Sequence, residues 1–384
     1  MIVIEHGPGG QAAVFAAPRE VLCAWTLDEV APVLERAEAA RVAGAWVAGY
    51  LAYEAGYAFE PRLRACLKPE ASAEPLVLLA ICDAPEQAGA VQAQAAQASD
   101  AVRLDAPVPR MARAAYDAAC ARLLEYIAAG DCYQVNLTFP MAARLAAGSA
   151  LGLYGALRAR QDVGYGAFVD LGVGPVIVSR SPELFFRITD GVIESRPMKG
   201  TAPRSADAVE DARLAAALTE SDKVLAENLM IVDLLRNDIG RISEIGSVSV
   251  PELFTVESFA TVHQMSSRIR GRLRPGAGLD ALMAALFPCG SVTGAPKIRA
   301  MQIIAELEPQ SRGVYCGAVG WAAPYGAAKG DQCWSVAIRT LRLYPDGGVL
   351  ANVGGGVVQD STAEGEWEEA LWKARYMQGL TTPG

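Results

Sequence analysis

The sequence predicts an α+β fold, on three observations. β-rich and helical runs follow one another without the regular β-α-β alternation that builds a parallel sheet. An Asp190-Gly191 pair separates two β-type runs, a two-residue hairpin signal that makes them antiparallel. Hydrophobic residues fill 52% of the 384 positions, enough for a large core. Length alone would allow roughly two or three domains, yet the pieces read as one unit over 1–384 with two lobes. Residues 1–110 form an N-terminal portion that ends in a connection at about 84–110, and 111–384 form the remainder.

Ala45–Tyr53 and Leu76–Cys82 are strand-like. From Ala84 to Arg110 the chain is rich in Ala, Gln, Asp and Pro and ends in Pro-x-Pro, the composition of a surface connection. A helix follows from about Ala114 to Ala129, stopped by Gly130 and Asp131. Val176–Ser179, Leu184–Ile188 and Val192–Ser195 are β-type, the last two joined by the hairpin. Later β-rich runs, Val314–Trp321, Cys333–Leu343 and Gly348–Val353, mix with helices at Ser221–Ile239, Leu279–Leu286 and Thr362–Met377. Ser361 and Glu364 have capping-box spacing at the head of the last helix, whose apolar stripe is Trp367, Ala370, Leu371 and Ala374. No internal repeat or low-complexity tail is found.

A net charge of −9 leaves no global positive field, so neither nucleic acid nor an anionic membrane surface is an expected partner. The eight cysteines contain no C-x-x-C pair and there are only two histidines, which argues against structural zinc and for reduced, buried thiols in the cytoplasm. MIVIEHGPGG has no basic segment leading into an apolar one, and no uncharged run is long enough to span a bilayer.

Several residues could carry chemistry. On the Ser221–Ile239 helix, Glu227 shares a face with Met230, Ile231 and Leu234; it either pairs with Lys223 one turn earlier or is a functional carboxylate. Glu366, Glu369 and Lys373 line another face of the last helix, where an ordinary solvated surface would explain them. Gly354-Gly355-Gly356, between a strand and that helix, is a tight turn or a place where backbone N–H groups receive an anion. FPCGSVTGAPK leads into a helix opened by Pro296, which is simply well capped or binds a carboxylate at its N-terminus. Lys199, between a proline turn and Gly200, is solvated or, if desolvated, a nucleophile.

Seven segments occur in order: YQVNLT, RSPELFF, RPMKGTAPR, AENLMIVDLLRNDIGR, CGSVTGAPK, RGVYCGAVG and GGGVVQDSTAEGEWEE. Together they resemble the chorismate-utilising enzymes related to anthranilate synthase component I, from about Ala114 to the C-terminus, and an ordered set is far more specific than one glycine loop. Within that family GDCYQVNLT, the lysine of PMKGT and the earlier GYLAYEAGYAFEP are similar to the aminodeoxychorismate synthase component I branch. The resemblance implies an anthranilate synthase component I-like fold of two interlocked lobes, with central antiparallel sheets and outer helices. It implies Mg²⁺ at Glu227 and Glu369 with Glu366 nearby, which suits an ion that takes a few carboxylates, water and substrate oxygens. It gives the substrate carboxylates to Tyr315, Arg339 and Lys373, with backbone donors from Gly354, Gly355 and Gly356 and from the loop of Ser291 and Thr293. Gln134 and Thr201 join the substrate-binding set. Glu183 matches the general acid for the departing 4-hydroxyl, and His263 a histidine near the same ring.

Two positions select the branch. Relatives that add water to chorismate carry a catalytic lysine where this chain has Gln134, which disfavours hydration. Anthranilate synthases usually have Ala where it has Lys199, so the resemblance implies attack of Lys199 on C2, loss of the 4-hydroxyl, and addition of ammonia at C4 with expulsion of the lysine. The implied product is 4-amino-4-deoxychorismate, for 4-aminobenzoate and folate. Ammonia is expected from a separate glutamine amidotransferase subunit, and the product is expected to pass to an aminodeoxychorismate lyase. Val224 stands where many relatives have an acidic residue, and PMKGT replaces the usual PIKGT. The rival readings are an anthranilate synthase component I that carries Lys199, and a catalytically silent subunit that binds chorismate or an aromatic amino acid.

Overall fold

The computed structural model describes residues 1–258, 262–326 and 330–380. Among these residues the chain builds two antiparallel sheets, one of eleven strands and one of ten, with helices packed against them: the α+β class expected. The first sheet runs from Gly294–Ala295 through Gln134–Ala147, Gly348–Val357, Thr340–Leu343, Val176–Ser181 and Tyr165–Val169 to Ile2–Ile4, Ala13–Phe15 and Glu86–Gln87. The second runs from Met198–Pro203 through Val262–Arg272, Val192–Arg196, Leu184–Thr189, Gln332–Val336 and Ala318–Ala322 to Trp46–Leu51, Val77–Cys82 and Glu20–Ala24. Ile2–Ile4 pairs with Tyr165–Val169, and Trp46–Leu51 with Ala318–Ala322, so residues 1–110 extend both sheets.

Strand periodicity decides how the sheets meet. Ile2 and Ile4 enter one apolar cluster and Val3 another, and Leu78 and Ala80 divide from Val77, Leu79 and Ile81 in the same way. The cluster of Ile2, Ile4 and Ile177 from the first sheet also holds Tyr50, Leu78, Val319 and Trp321 from the second, so the two sheets face each other across it. Each fully buried aliphatic side chain there contributes ~1.5–3 kcal/mol.

Local sequence chemistry sets many elements. Helices occupy Arg113–Ala128, Asp222–Gly240 and Leu279–Leu286, close to the expected spans, and Asp190 and Gly191 take φ of +50° and +73°, as a two-residue hairpin turn demands. Four features differ from expectation. The connection of about 84–110 carries a helix, Gly89–Ala98, and three short strands; its Ala95 is fully buried where a Cβ at Gly155 of the helix Ala150–Arg160 would collide with the Ala95 carbonyl. The lack of large apolar residues thus reflects close helix packing through small side chains. Cys333–Leu343 is not one strand: Gln332–Val336 lies in the second sheet and Thr340–Leu343 in the first. Of Val314–Trp321 only the stretch from Ala318 is strand, Cys316 before it taking φ +60°. The glycine triplet is no turn but continues the strand Gly348–Val357, opposite Asn136, Leu137 and Thr138. The last helix, Ala363–Lys373, is capped by Thr362, whose hydroxyl accepts from Gly365 N; Ser361 donates to Glu366 instead.

All eight cysteines are free and six are buried. Among the described residues no helix is long and apolar enough to cross a membrane.

Candidate active site

The chain crosses from the first sheet to the second at Pro182–Glu183 and returns at Ala337–Arg339. The two crossings lie side by side. Val336 N donates to Glu183 O at 3.1 Å, Arg180 N to Arg339 O at 3.0 Å, and Ser181 Oγ to Val336 O at 2.6 Å. Backbone groups released from the ladders are thereby satisfied, and Glu183 and Arg339 are brought to one seam. Arg339 takes φ +50°, uncommon for a side-chain-bearing residue. Burial lowers its guanidinium pKa, opposed by Tyr376 and Glu183. Glu183 is 7% exposed. Burial raises its carboxyl pKa against the opposing hydrogen bond from Ser291 Oγ, 2.6 Å from Oε1, and the charges of Lys199, Arg339 and Lys373. The protonated form a general acid needs is favoured.

Lys199 comes from the edge of the second sheet. Its strand, Met198–Pro203, pairs with Val262–Arg272 through a register shift between Met198 and Thr201, and Gly200 takes φ +87°. The extra residue re-aims the lysine, as β-bulges do beside active sites. Gln264 Nε2 donates to Gly200 O at 2.7 Å, and Val224 packs so closely that a Cβ at Gly200 would lie 2.5 Å from its Cγ1. Val224 belongs to a small apolar cluster with Ala202, Leu218 and Met265, where an acidic side chain would be buried against hydrocarbon. Burial lowers the Lys199 pKa; Glu227 and then Glu183 act against it without reversing the direction. A neutral amine is what a nucleophile requires.

Successive glycines of the triplet leave space for different side chains on the two faces of their strand. A Cβ at Gly354 would collide with the Leu137 carbonyl, so that glycine serves close strand packing. At Gly355 it would lie 2.7 Å from Glu366 Oε2 and 3.6 Å from both Glu369 Oε1 and Lys373 Nζ. At Gly356 it would collide with Gln134 Nε2 and sit 3.3 Å from Lys199 Nζ. Gln134 is fully buried, yet neither amide atom has a hydrogen-bond partner among the described residues. An orphaned buried amide costs about 1–3 kcal/mol per group, a cost that a polar ligand over Gly356 would remove.

Two of the expected metal carboxylates, Glu366 and Glu369, converge on Gly355 from successive turns of one helix. Lys373 Nζ donates to Gly354 O at 2.8 Å and pairs with Glu369 Oε1 at 2.7 Å. Glu227 comes from the helix Asp222–Gly240, and its charge is the largest of those acting on Lys199. The side chain of its suggested partner, Lys223, lies outside the described residues. Among the described residues no three or more His, Cys, Asp or Glu gather into a ready-made cage. Two carboxylates over a bare glycine nevertheless have the oxygen-donor chemistry that Mg²⁺ prefers.

Other expected site residues have partners of their own. Tyr315 is 6% exposed, and burial pushes its phenol far above the ordinary range, so it stays a neutral hydroxyl. Thr201 is exposed and donates to Gln264 Oε1, while the Thr293 hydroxyl donates back to Cys289 O and Gly290 O in its own turn. His263 is 2% exposed with both ring nitrogens engaged, Nδ1 with Ser258 Oγ at 2.8 Å and Nε2 with Asp211 at 2.9 Å. Asp211 also holds Arg204 and Ser205 N, just beyond the Lys199 strand. Sequence reasoning missed Tyr376: its hydroxyl is buried without a partner among the described residues and it interacts with Arg339. The only sequence signal is its position three residues after Lys373.

A buried carboxyl biased toward its acid and under the charges of Arg339 and Lys373, and a lysine biased toward its amine near an unsatisfied amide, make a candidate site for a small anionic ligand. The family profile described as chorismate binding enzyme matches residues 5–379, and the chain belongs to that family. It is 44% identical over 263 residues to aminodeoxychorismate synthase component 1 of Klebsiella aerogenes, covering 68% of this chain and 57% of that one, so it spans little more than half that relative's length. It is 36% identical to anthranilate synthase component 1 of Pseudomonas aeruginosa, over 86% of this chain and 73% of the relative. The solved anthranilate synthase component I of Streptococcus pneumoniae TIGR4 superimposes with a TM-score of 0.75 at 26% identity, covering 98% and 90% of the two chains. The menaquinone-specific isochorismate synthase of Escherichia coli, at 19% identity and a TM-score of 0.73 over 99% of this chain and 88% of that one, shows the shared fold alone.

Proposed function

We propose that the chain is the chorismate-aminating component of an aminodeoxychorismate synthase, working with ammonia that a separate glutamine amidotransferase subunit releases, and passing its product to an aminodeoxychorismate lyase. The observation that carries this reading is Lys199: a partly buried amine of lowered pKa, 3.3 Å from the Cβ position of Gly356, whose field includes a carboxyl of raised pKa, Glu183. Hydration needs no second nucleophile, whereas replacement of the 4-hydroxyl with retention of the ring diene is served by one.

In this reading Arg339, Lys373 and Tyr315 hold the two carboxylates of chorismate, and Gln134 donates to the bound ring. Neutral Lys199 Nζ bonds to C2. The C1–C2 and C5–C6 double bonds move to C1–C6 and C4–C5, the C4–O bond breaks, and the oxygen leaves as water with the Glu183 proton. Ammonia then bonds to C4, the double bonds return, and the C2–N bond breaks to release Lys199 as an amine while Glu183 is reprotonated from solvent. Glu227, Glu366 and Glu369 would hold Mg²⁺, whose charge would favour binding of the ring carboxylate.

The relatives named anthranilate synthase keep a second reading in play, with an aromatic ortho-amino acid and pyruvate as products. Lys199→Ala tests the covalent role. The variant is expected to lose 4-amination by several orders of magnitude while still binding chorismate, followed by intrinsic fluorescence; parental turnover would reject the role.

A further inference from the structure

The Ser291 hydroxyl lies between two buried groups. Its Oγ is 2.6 Å from Glu183 Oε1 and 3.2 Å from Cys289 Sγ, and the three residues are 6%, 7% and 3% exposed in the order Ser291, Glu183, Cys289. A hydroxyl has one proton to give and lone pairs to receive with, and a thiol sulfur is a poor acceptor. The carboxyl oxygen is therefore the better recipient of the Ser291 proton, and the thiol, kept protonated by burial, donates back to Oγ. The backbone around Ser291 is also fixed. Thr293 Oγ1 donates to Cys289 O and Gly290 O, and the fully buried Arg312 donates through Nη1 to Val292 O at 3.0 Å while Nη2 donates to Asn136 O at 2.6 Å.

We propose that the Ser291 side chain positions Glu183 and is not a ligand of the substrate: its hydroxyl donates to Oε1, so that Oε2 carries the acid proton. This rests on the reading of Glu183 as the general acid. When the Oε2–H bond breaks and the proton leaves with the 4-hydroxyl oxygen as water, the negative charge spreads to Oε1, and the hydrogen bond from Ser291 strengthens as it becomes charge-assisted. With its one proton committed, the Ser291 hydroxyl has nothing to offer a substrate carboxylate.

The test is the pH dependence of kcat and of the chorismate KM, taken separately in Ser291→Ala, Ser291→Thr and Glu183→Gln with Mg²⁺ and ammonium. In Ser291→Ala the limb of the pH–rate profile that Glu183 controls is expected to move upward by roughly one pH unit, with KM unchanged within about twofold. Ser291→Thr, which keeps a hydroxyl, should restore the limb. A KM raised about tenfold or more with the limb unmoved would make Ser291 a substrate ligand and overturn the proposal. A readout without turnover guards against loss of folding or of the parent reading: the infrared C=O band of protonated Glu183, identified by its absence in Glu183→Gln, is expected to shift in Ser291→Ala, and an unshifted band overturns the proposal. Parental kcat and pH profile in Glu183→Gln would instead sink the general-acid reading, whatever the Glu183 band does in Ser291→Ala.

Discussion

Two glycines in one strand, two residues apart, are expected to fail in opposite ways when a methyl group is added. At Gly356 the new Cβ collides with Gln134 Nε2 and lies 3.1 Å from its Cδ and 3.3 Å from Lys199 Nζ. These are the far ends of flexible side chains, so Gly356→Ala can be accommodated by swinging the Gln134 amide and crowding the Nζ end of Lys199. The stability cost should stay at or below the ~1–3 kcal/mol of ordinary overpacking. The Lys199 amine, however, must give way by a few tenths of an ångström while the Gln134 amide swings aside, and a misplacement approaching about 1 Å can cost ~10²-fold in rate. At Gly354 the added Cβ meets the Leu137 carbonyl and the Thr138 Cα at 2.7 Å, which are backbone atoms of the paired strand Gln134–Ala147. Gly354→Ala must therefore push these neighbouring central strands apart and should lower stability and expression first. Steady-state amination of chorismate with ammonium, alongside thermal unfolding of each variant, reads both effects. Parental kcat in a well-folded Gly356→Ala would refute the placement of Lys199 and Gln134 over this glycine, as would a Gly354→Ala protein as stable as the parent.

Two further expectations follow from the carboxylates. Glu369→Gln leaves Lys373 without its 2.7 Å partner and removes one of the two carboxylates over Gly355, so the Mg²⁺ concentration for half-maximal activity should rise at least ~10-fold, as in losses of metal-site groups; an unchanged Mg²⁺ requirement would remove Glu369 from the ion's site. Glu54 is 3% exposed and accepts from Arg312 N at 2.6 Å and Gly313 N at 3.0 Å, yet burial outweighs these bonds and raises its pKa from 4.5 to about 7. The folded state then binds more protons than the unfolded one between those values. The associated stability is complete below the unfolded value and is lost as pH rises through about 7, on the order of 3 kcal/mol for a shift of this size. Urea unfolding at pH 5 and pH 8 should show that decline in the parent and a smaller one in Glu54→Gln; equal declines would assign it to other groups.

What the sequence made legible was local chemistry. Asp190-Gly191 turns the hairpin because only residues tolerant of positive φ can occupy both positions, and Leu279–Leu286 has the apolar periodicity of the helix it forms. Where long-range pairing decides, the pattern was blind. Gln332–Val336 and Thr340–Leu343 are equally buried and β-rich, so nothing in composition marks the change of sheet between them, and the same change beside Glu183 is what brings residues 183 and 339 together. The helix Gly89–Ala98 was hidden because its packing uses alanines against Gly155, and small residues carry no hydrophobic signature. Capping shifted from Ser361 to Thr362 because the Ser361 hydroxyl is engaged by Glu366, a contact invisible in spacing. For the site itself, residue spacing left Lys199, Glu227 and the glycine triplet open between structural and chemical readings, and it was the ordered set of family motifs that singled them out. The unsatisfied amide of Gln134 and the unpartnered hydroxyl of Tyr376 among the described residues are properties of three-dimensional surroundings, legible only once the neighbouring strands are in place.

The most direct measurement is identification of the product by chromatography and mass after incubation of the pure chain with chorismate, Mg²⁺ and ammonium, with and without an added aminodeoxychorismate lyase. The account predicts 4-amino-4-deoxychorismate, converted to 4-aminobenzoate only when the lyase is present; anthranilate, or no product from a chain that demonstrably binds chorismate, would contradict it.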